Sequence, residues 1–144
     1  MQKMIAALVK DEKGNVLILV PAFLLLATFF LALVVDLGSV HYCRARLQDA
    51  ADAAALAAAG RAREGEPAAE AAEAEARKYI EYHGLEDPSG ELPWFVFDPA
   101  GCTVTVVLKV EAPLYFGPAF GVDTVTLGAR ATAGWNPAGV SLVP

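Results

Sequence analysis

The polarity pattern changes character along the chain, and each change predicts a different element. Residues 1–15 are mixed and charged, ending in KDEKGN. From Val16 to Val35, in VLILVPAFLLLATFFLALVV, twenty consecutive residues carry no charge. At 1.5 Å per residue such a helix is about 30 Å long, the thickness of a bilayer core. A buried core helix is the competing reading, but helices inside globular cores seldom run this far without a charge. A cleaved secretory signal would have a shorter apolar core followed by a small-residue cleavage site. Here Asp36 leads straight into more helical pattern, so the expectation is a retained span.

Beyond Asp36 the helical pattern continues with smaller residues. Val40, Cys43, Leu47, Ala50, Ala51, Ala54 and Ala58 fall on one stripe at 100° per residue, whereas Asp49 and Asp52 fall on the far side. Alanine is the best helix former, so 16–59 is predicted as one helix, kinked locally at Pro21. A lone helix of small residues buries little; this stripe needs a surface that approaches closely, and it is the candidate helix-packing interface. Gly60 and Gly65 in GRAREGE are expected to break the helix. A second helix is expected to start near Pro67, with Glu66 and Glu70 at its positive pole, and to stop at Gly84. Its stripe is Ala69, Ala72, Ala76, Tyr79, Ile80 and His83, with Glu73 and Arg77 paired on the wet side. His83 reads as a helix-end residue, since no second metal ligand accompanies it.

The last third alternates with period two. In CTVTVVLKV, Val104, Val106, Leu108 and Val110 face one way and Thr103, Thr105 and Lys109 the other; in TVTLGARAT, Val125, Leu127, Ala129 and Ala131 face inward. WFVF at 94–97 is a short strand joined to the next by the DPAG turn. The connection APLYFGPAFGVD is too long for a tight hairpin, and Tyr115, Phe116 and Phe120 are expected to fold back as a lid on the core. The predicted fold class is α+β: a long N-terminal membrane-spanning helix continuing into a small head of one helix and an antiparallel sheet of three or four strands. The boundaries are 1–15 for a charged leader, 16–59 for the helix and 60–144 for the head.

Composition sharpens this picture. The 144 residues are 56% hydrophobic with a net charge of −6, and the mean hydropathy is +0.42. Residues 1–46 hold five basic and three acidic side chains, and residues 47–144 hold six and fourteen. Lys3, Lys10 and Lys13 before the span, against Arg44 and Arg46 after it, favour a cytoplasmic N-terminus with the head outside. The acidic remainder argues against nucleic acid as a partner. Cys43 and Cys102 are too few for a disulfide scaffold or a metal cluster; they are a candidate disulfide pair, or two small apolar side chains. No HExxH, CxxC, GxSxG or phosphate-binding glycine loop occurs. The acids of EGEPAAEAAEAEA are spaced for a solvated helix face rather than a calcium loop. Ser39, Ser89 and Ser141 have no evident base. The expectation is a protein that is not an enzyme and has no cofactor and no catalytic or metal site.

Residues 11–60 resemble the N-terminal module of the TadE/TadG-like proteins of the Flp, or tight-adherence, pilus system. The resemblance lies in Lys13, Gly14 and Asn15 before the span, then Asp36, Gly38, Arg46, Leu47, Gln48, Ala51, Asp52, Ala53, Ala54 and Leu56. PLYFGPAFGVDTVTLGARATA is more loosely similar to the family's later stretch. The resemblance implies a pilin-like, membrane-anchored structural protein: a minor pilin or assembly factor of a type IV or Tad-like pilus. Its implied partners are the membrane, other pilin-like subunits or copies of itself, and a prepilin-type peptidase cutting between Gly14 and Asn15. Five residues beyond that cut, where major pilins carry glutamate, this chain has Leu19. Two further readings stay open: the main subunit of a homopolymeric extracellular filament with the apolar helix in its core, and a stand-alone surface binding module. The location follows the reading: a single-pass cytoplasmic membrane protein with its head outside, or the cell surface if assembled.

Overall fold

A computed structural model describes residues 12–63, 69–85, 94–136 and 139–143. The element order is α1 (Glu12–Arg63), α2 (Ala69–Tyr82), β1 (Phe95–Asp98), β2 (Thr103–Pro113), a 3-10 turn η1 (Gly117–Phe120), β3 (Thr124–Asn136) and β4 (Gly139–Val143). Of the expected leader 1–15, residues 12–15 already belong to α1; residues 1–11, the break at Gly65 and the helix start at Glu66 and Pro67 lie outside the described residues.

Helix α1 has 52 residues, about 78 Å at 1.5 Å each. Its halves differ in environment. The apolar half is exposed over most of its surface, with Leu17, Leu19, Phe23 and Leu25 at 68–74%. None of its most apolar window is buried in the structure, and it is long and apolar enough to cross a membrane. Thr28 hides its hydroxyl in this stretch by donating to the Leu24 carbonyl at 2.8 Å. The distal half carries the head. Leu47, Ala50, Ala51, Ala54, Ala55, Ala58 and Ala59 are all buried, and Val40 and Cys43 pack half-buried at the margin.

Gly60 does not break the helix; α1 runs through it to Arg63. Glycine inside a helix costs only about 1 kcal/mol relative to alanine, and the fully buried Ala58 and Ala59 hold the preceding turn in place. Helix α2 packs beside α1 through Ala72, Ala76 and Ile80. It ends at Gly84, whose φ of 68° is left-handed. There the Leu85 N–H reaches the Ile80 carbonyl and the Gly84 N–H the Glu81 carbonyl, a Schellman cap. Ala69 and Tyr79, expected on the packed stripe, are exposed.

The strands form one antiparallel sheet in the order β1-β2-β3-β4. The β2–β3 register sets Val104 opposite Ala133, Val106 opposite Ala131 and Leu108 opposite Ala129. All six are buried, so large residues on β2 sit beside small ones on β3. Helix α1 leans more heavily on β3 than on β2, and alanine on alanine lets helix and sheet approach closely. On the opposite face, Thr105 and Thr132 share a 2.9 Å hydroxyl hydrogen bond. The DPAG turn is an Asx turn in which Asp98 Oδ1 accepts from the Ala100 and Gly101 amides at 3.0 Å. At the far end of the sheet Phe97 and Trp135 stack, with centroids 5.5 Å apart. The Arg77 guanidinium lies 4.7 Å from the centre of the Trp94 ring, closing α2 onto the sheet. Arg77 also pairs with Glu73 at 2.9 Å, half-exposed rather than fully wet.

The aromatic connection between β2 and β3 is not a lid on the core. Tyr115 and Phe120 are each 69% exposed and Phe116 46%. The core has no room for them, because α1 already sits close on the sheet. The loop lies beyond the end of both strands and turns instead toward the apolar half of α1.

Candidate functional site

Among the described residues, the head packs around the outer half of α1 and reaches down one side of its apolar half as far as Phe29. Three polar residues on that helix act as clamps, each engaging main-chain groups of a different element. Asp36, the first charge after the apolar run, accepts the Tyr115 amide at 2.8 Å and the Phe116 amide at 3.2 Å. Arg46 donates to the His83 carbonyl at 2.8 Å, at the C-terminal pole of α2 where a cation is favoured. Gln48 donates to the Arg130 carbonyl of β3 at 3.2 Å and to Asp52 at 2.9 Å. Asp52 is thus half-buried at the edge of the contact, whereas Asp49 is exposed.

Past these clamps runs the stripe of Val40, Cys43, Leu47, Ala50, Ala51, Ala54 and Ala58. The structure lays it against the chain's own head, and it is wider than one stripe because Ala55 and Ala59 are buried too. A sheet is broad and flat, so it covers two adjacent ridges of a helix. Sequence periodicity missed both alanines and the roles of the three clamps. The available signal was Asp36, a charge on the same side of the helix as the apolar stripe.

Below Asp36 the contact becomes purely apolar. Phe29, Leu33, Val40, Leu114, Phe120 and Val125 line an open groove of about 560 Å³ with Asp36 on its wall. The Phe29 and Phe120 rings meet edge to face at 5.8 Å. Gly117 is required here: a Cβ on it would run into the Val122 carbonyl and the Leu114 side chain. Gly121 ends the 3-10 turn with a left-handed φ of 79°.

Other candidate residues are placed apart. Cys43 is half-buried on α1, and Cys102 is exposed in the β1–β2 turn with a φ of 51°; both are free. Cys43 lies between the Asp36 and Gln48 contacts. Gln48 reaches Arg130, which pairs with Val107. The five residues from Val107 back to Cys102 add roughly 16 Å of strand, more than the ~7 Å between Cα atoms that a disulfide allows. The expected candidate pair is therefore not brought together. His83 sits at the end of α2 with Nδ1 2.8 Å from the Tyr79 carbonyl. Among the described residues, no three His, Cys, Asp or Glu side chains are grouped to hold a metal. Gly14 and Asn15 lie in the first turn of α1.

The architecture is thus of one class: a long helix, apolar enough to span a bilayer, clamped along its outer half into a small α+β head. Residues 14–62 match the family described as putative Flp pilus-assembly TadE/G-like. That match covers α1 almost end to end, including Asp36, Arg46, Gln48 and the alanine stripe. Comparisons with curated proteins and with solved structures returned no match. The family points to a pilus-related structural or assembly role rather than to an enzyme. The apolar helix and the family together indicate a membrane-anchored or surface location.

Proposed function

We propose that the chain is a pilin-like, membrane-anchored minor pilin or assembly factor of a Tad-like pilus, with its N-terminus in the cytoplasm and its head outside. One observation carries this reading: a single helix that matches the TadE/G-like family over residues 14–62 is apolar and largely exposed along one half and clamped to its own head along the other. Such a subunit can stand in a membrane, and its apolar half is free to meet other apolar helices. Lys3, Lys10 and Lys13 support the orientation. A prepilin-type peptidase would cut between Gly14 and Asn15 at the cytoplasmic face. The cut removes three lysines that resist passage through lipid, at about 2.5–3.5 kcal/mol each.

Leu19, where a major pilin carries glutamate, favours a minor subunit or assembly factor over the main subunit of a fibre. Intact-mass spectrometry of the protein from native membranes, with electron microscopy of sheared surface material, tests both parts. A chain beginning at Asn15, at low copy number in the membrane fraction, is the expected result. A chain still carrying Met1 or Gln2 overturns the processing step. A filament built of this subunit alone overturns the minor-subunit reading in favour of a homopolymer.

A further inference from the structure

The head overlaps the span instead of standing clear of it. Phe29 and Asp36 are seven residues apart, two turns along one side of α1. Phe29 lies six residues before Val35, the last of the uncharged run, and so about 9 Å inside its end. Yet Phe29 is the residue that Phe120 of the head touches. If residues 16–35 fill a hydrocarbon layer about 30 Å thick, the loop between β2 and β3 descends past the boundary of that layer.

The loop has the composition for such a place. Leu114–Val122, LYFGPAFGV, carries no charge. Tyr115, Phe116, Phe120 and Val122 remain 46–69% exposed among the described residues. Irregular backbone at membrane depth must have its amides engaged, and here most of them are. Asp36 takes the Tyr115 and Phe116 N–H groups. Leu114 donates to the Asp123 carbonyl, Ala119 to Phe116, Gly121 to Pro118 and Val122 to Gly117. Pro118 has no N–H to satisfy.

We propose that the loop 114–122 is a lipid-inserted foot. Its aromatic side chains enter the leaflet on the head's side of the bilayer that α1 crosses, with Phe120 reaching about 9 Å below the level where acyl chains meet headgroups. The occupant of the exposed apolar surface is lipid, because that surface is continuous with the lipid-facing side of the span through Phe29. Asp36 orders the foot by engaging its first amides at the water boundary. The head is then held in one orientation on the membrane, and drawing the subunit out of lipid means withdrawing the foot as well as the helix. The proposal rests on residues 16–35 spanning the membrane.

The test uses the full chain in phosphatidylcholine vesicles, with and without mid-chain brominated acyl groups. Phe120→Trp and, within the span, Phe23→Trp are compared with the native protein, whose Trp94 and Trp135 supply the background. The expected result is an added blue-shifted emission from each variant that is largely lost in brominated lipid, while the native emission changes little. Quenching of Phe23→Trp without quenching of Phe120→Trp refutes the foot and leaves the span standing. No quenching of either refutes the span itself. The unmodified chain provides a check free of folding effects. In vesicles containing a diazirine-bearing phosphatidylcholine, illumination should leave lipid adducts within 114–122. Adducts confined to α1 overturn the proposal.

Discussion

Replacing Ala54 by leucine probes the docking of head on helix most directly. Ala54 is fully buried. It shares one core with Ala129, Ala131 and Ala133 of β3, the strand on which α1 leans most. Leucine adds three carbons where helix and sheet already touch through methyl groups. Either the helix lifts off the sheet or the new side chain leaves its preferred rotamer, and overpacking of this kind costs about 1–3 kcal/mol. The clamps at Asp36, Arg46 and Gln48 depend on the helix height, so a lifted helix strains them as well. Ala53→Leu, one residue away and only half-buried, has solvent on one side and should cost under about 0.5 kcal/mol. Urea unfolding of the full chain in detergent micelles, followed by Trp94 and Trp135 fluorescence, reads the difference. With a slope of about 1–2 kcal/mol/M, Ala54→Leu should lower the midpoint by about 0.5–3 M. Equal midpoints for the two variants would refute the claim that close approach of α1 to the sheet holds the head.

Asp36→Ala leaves the Tyr115 and Phe116 amides without their acceptor and should destabilise the loop by about 1–2 kcal/mol. Asp36→Asn keeps one oxygen and should do less, and hydrogen exchange at those two amides ranks the variants. Gly60→Ala should stabilise the chain by about 0.5–1 kcal/mol, because nothing lies within 4 Å of the added Cβ; a raised urea midpoint is the readout. A membrane-impermeant maleimide should label the exposed Cys102 on intact cells faster than the half-buried Cys43. Labelling of Cys102 only after lysis would reverse the topology.

Much of this protein is determined by local pattern. Twenty residues without a charge are enough to specify a helix that no aqueous core in this small chain could cover. Alternation along 103–110 and 124–132 assigns strand faces, because successive side chains must point to opposite sides of a pleat. The alanine stripe announces a close neighbour, since small side chains alone bury too little to hold a helix down. The tertiary structure decided what local pattern cannot express. Gly60 stays helical because buried alanines before it outweigh a penalty of about 1 kcal/mol. Ala55 and Ala59 join the interface because a sheet is wider than one helical ridge. Tyr115, Phe116 and Phe120 look like core residues by hydrophobicity, but the core is already filled by α1, and the loop that bears them ends beside the span. Asp36, Arg46 and Gln48 carry no sign of their partners in their own spacing. Those partners are main-chain groups 37 to 82 residues away, brought within reach only when the sheet and α2 close on the helix.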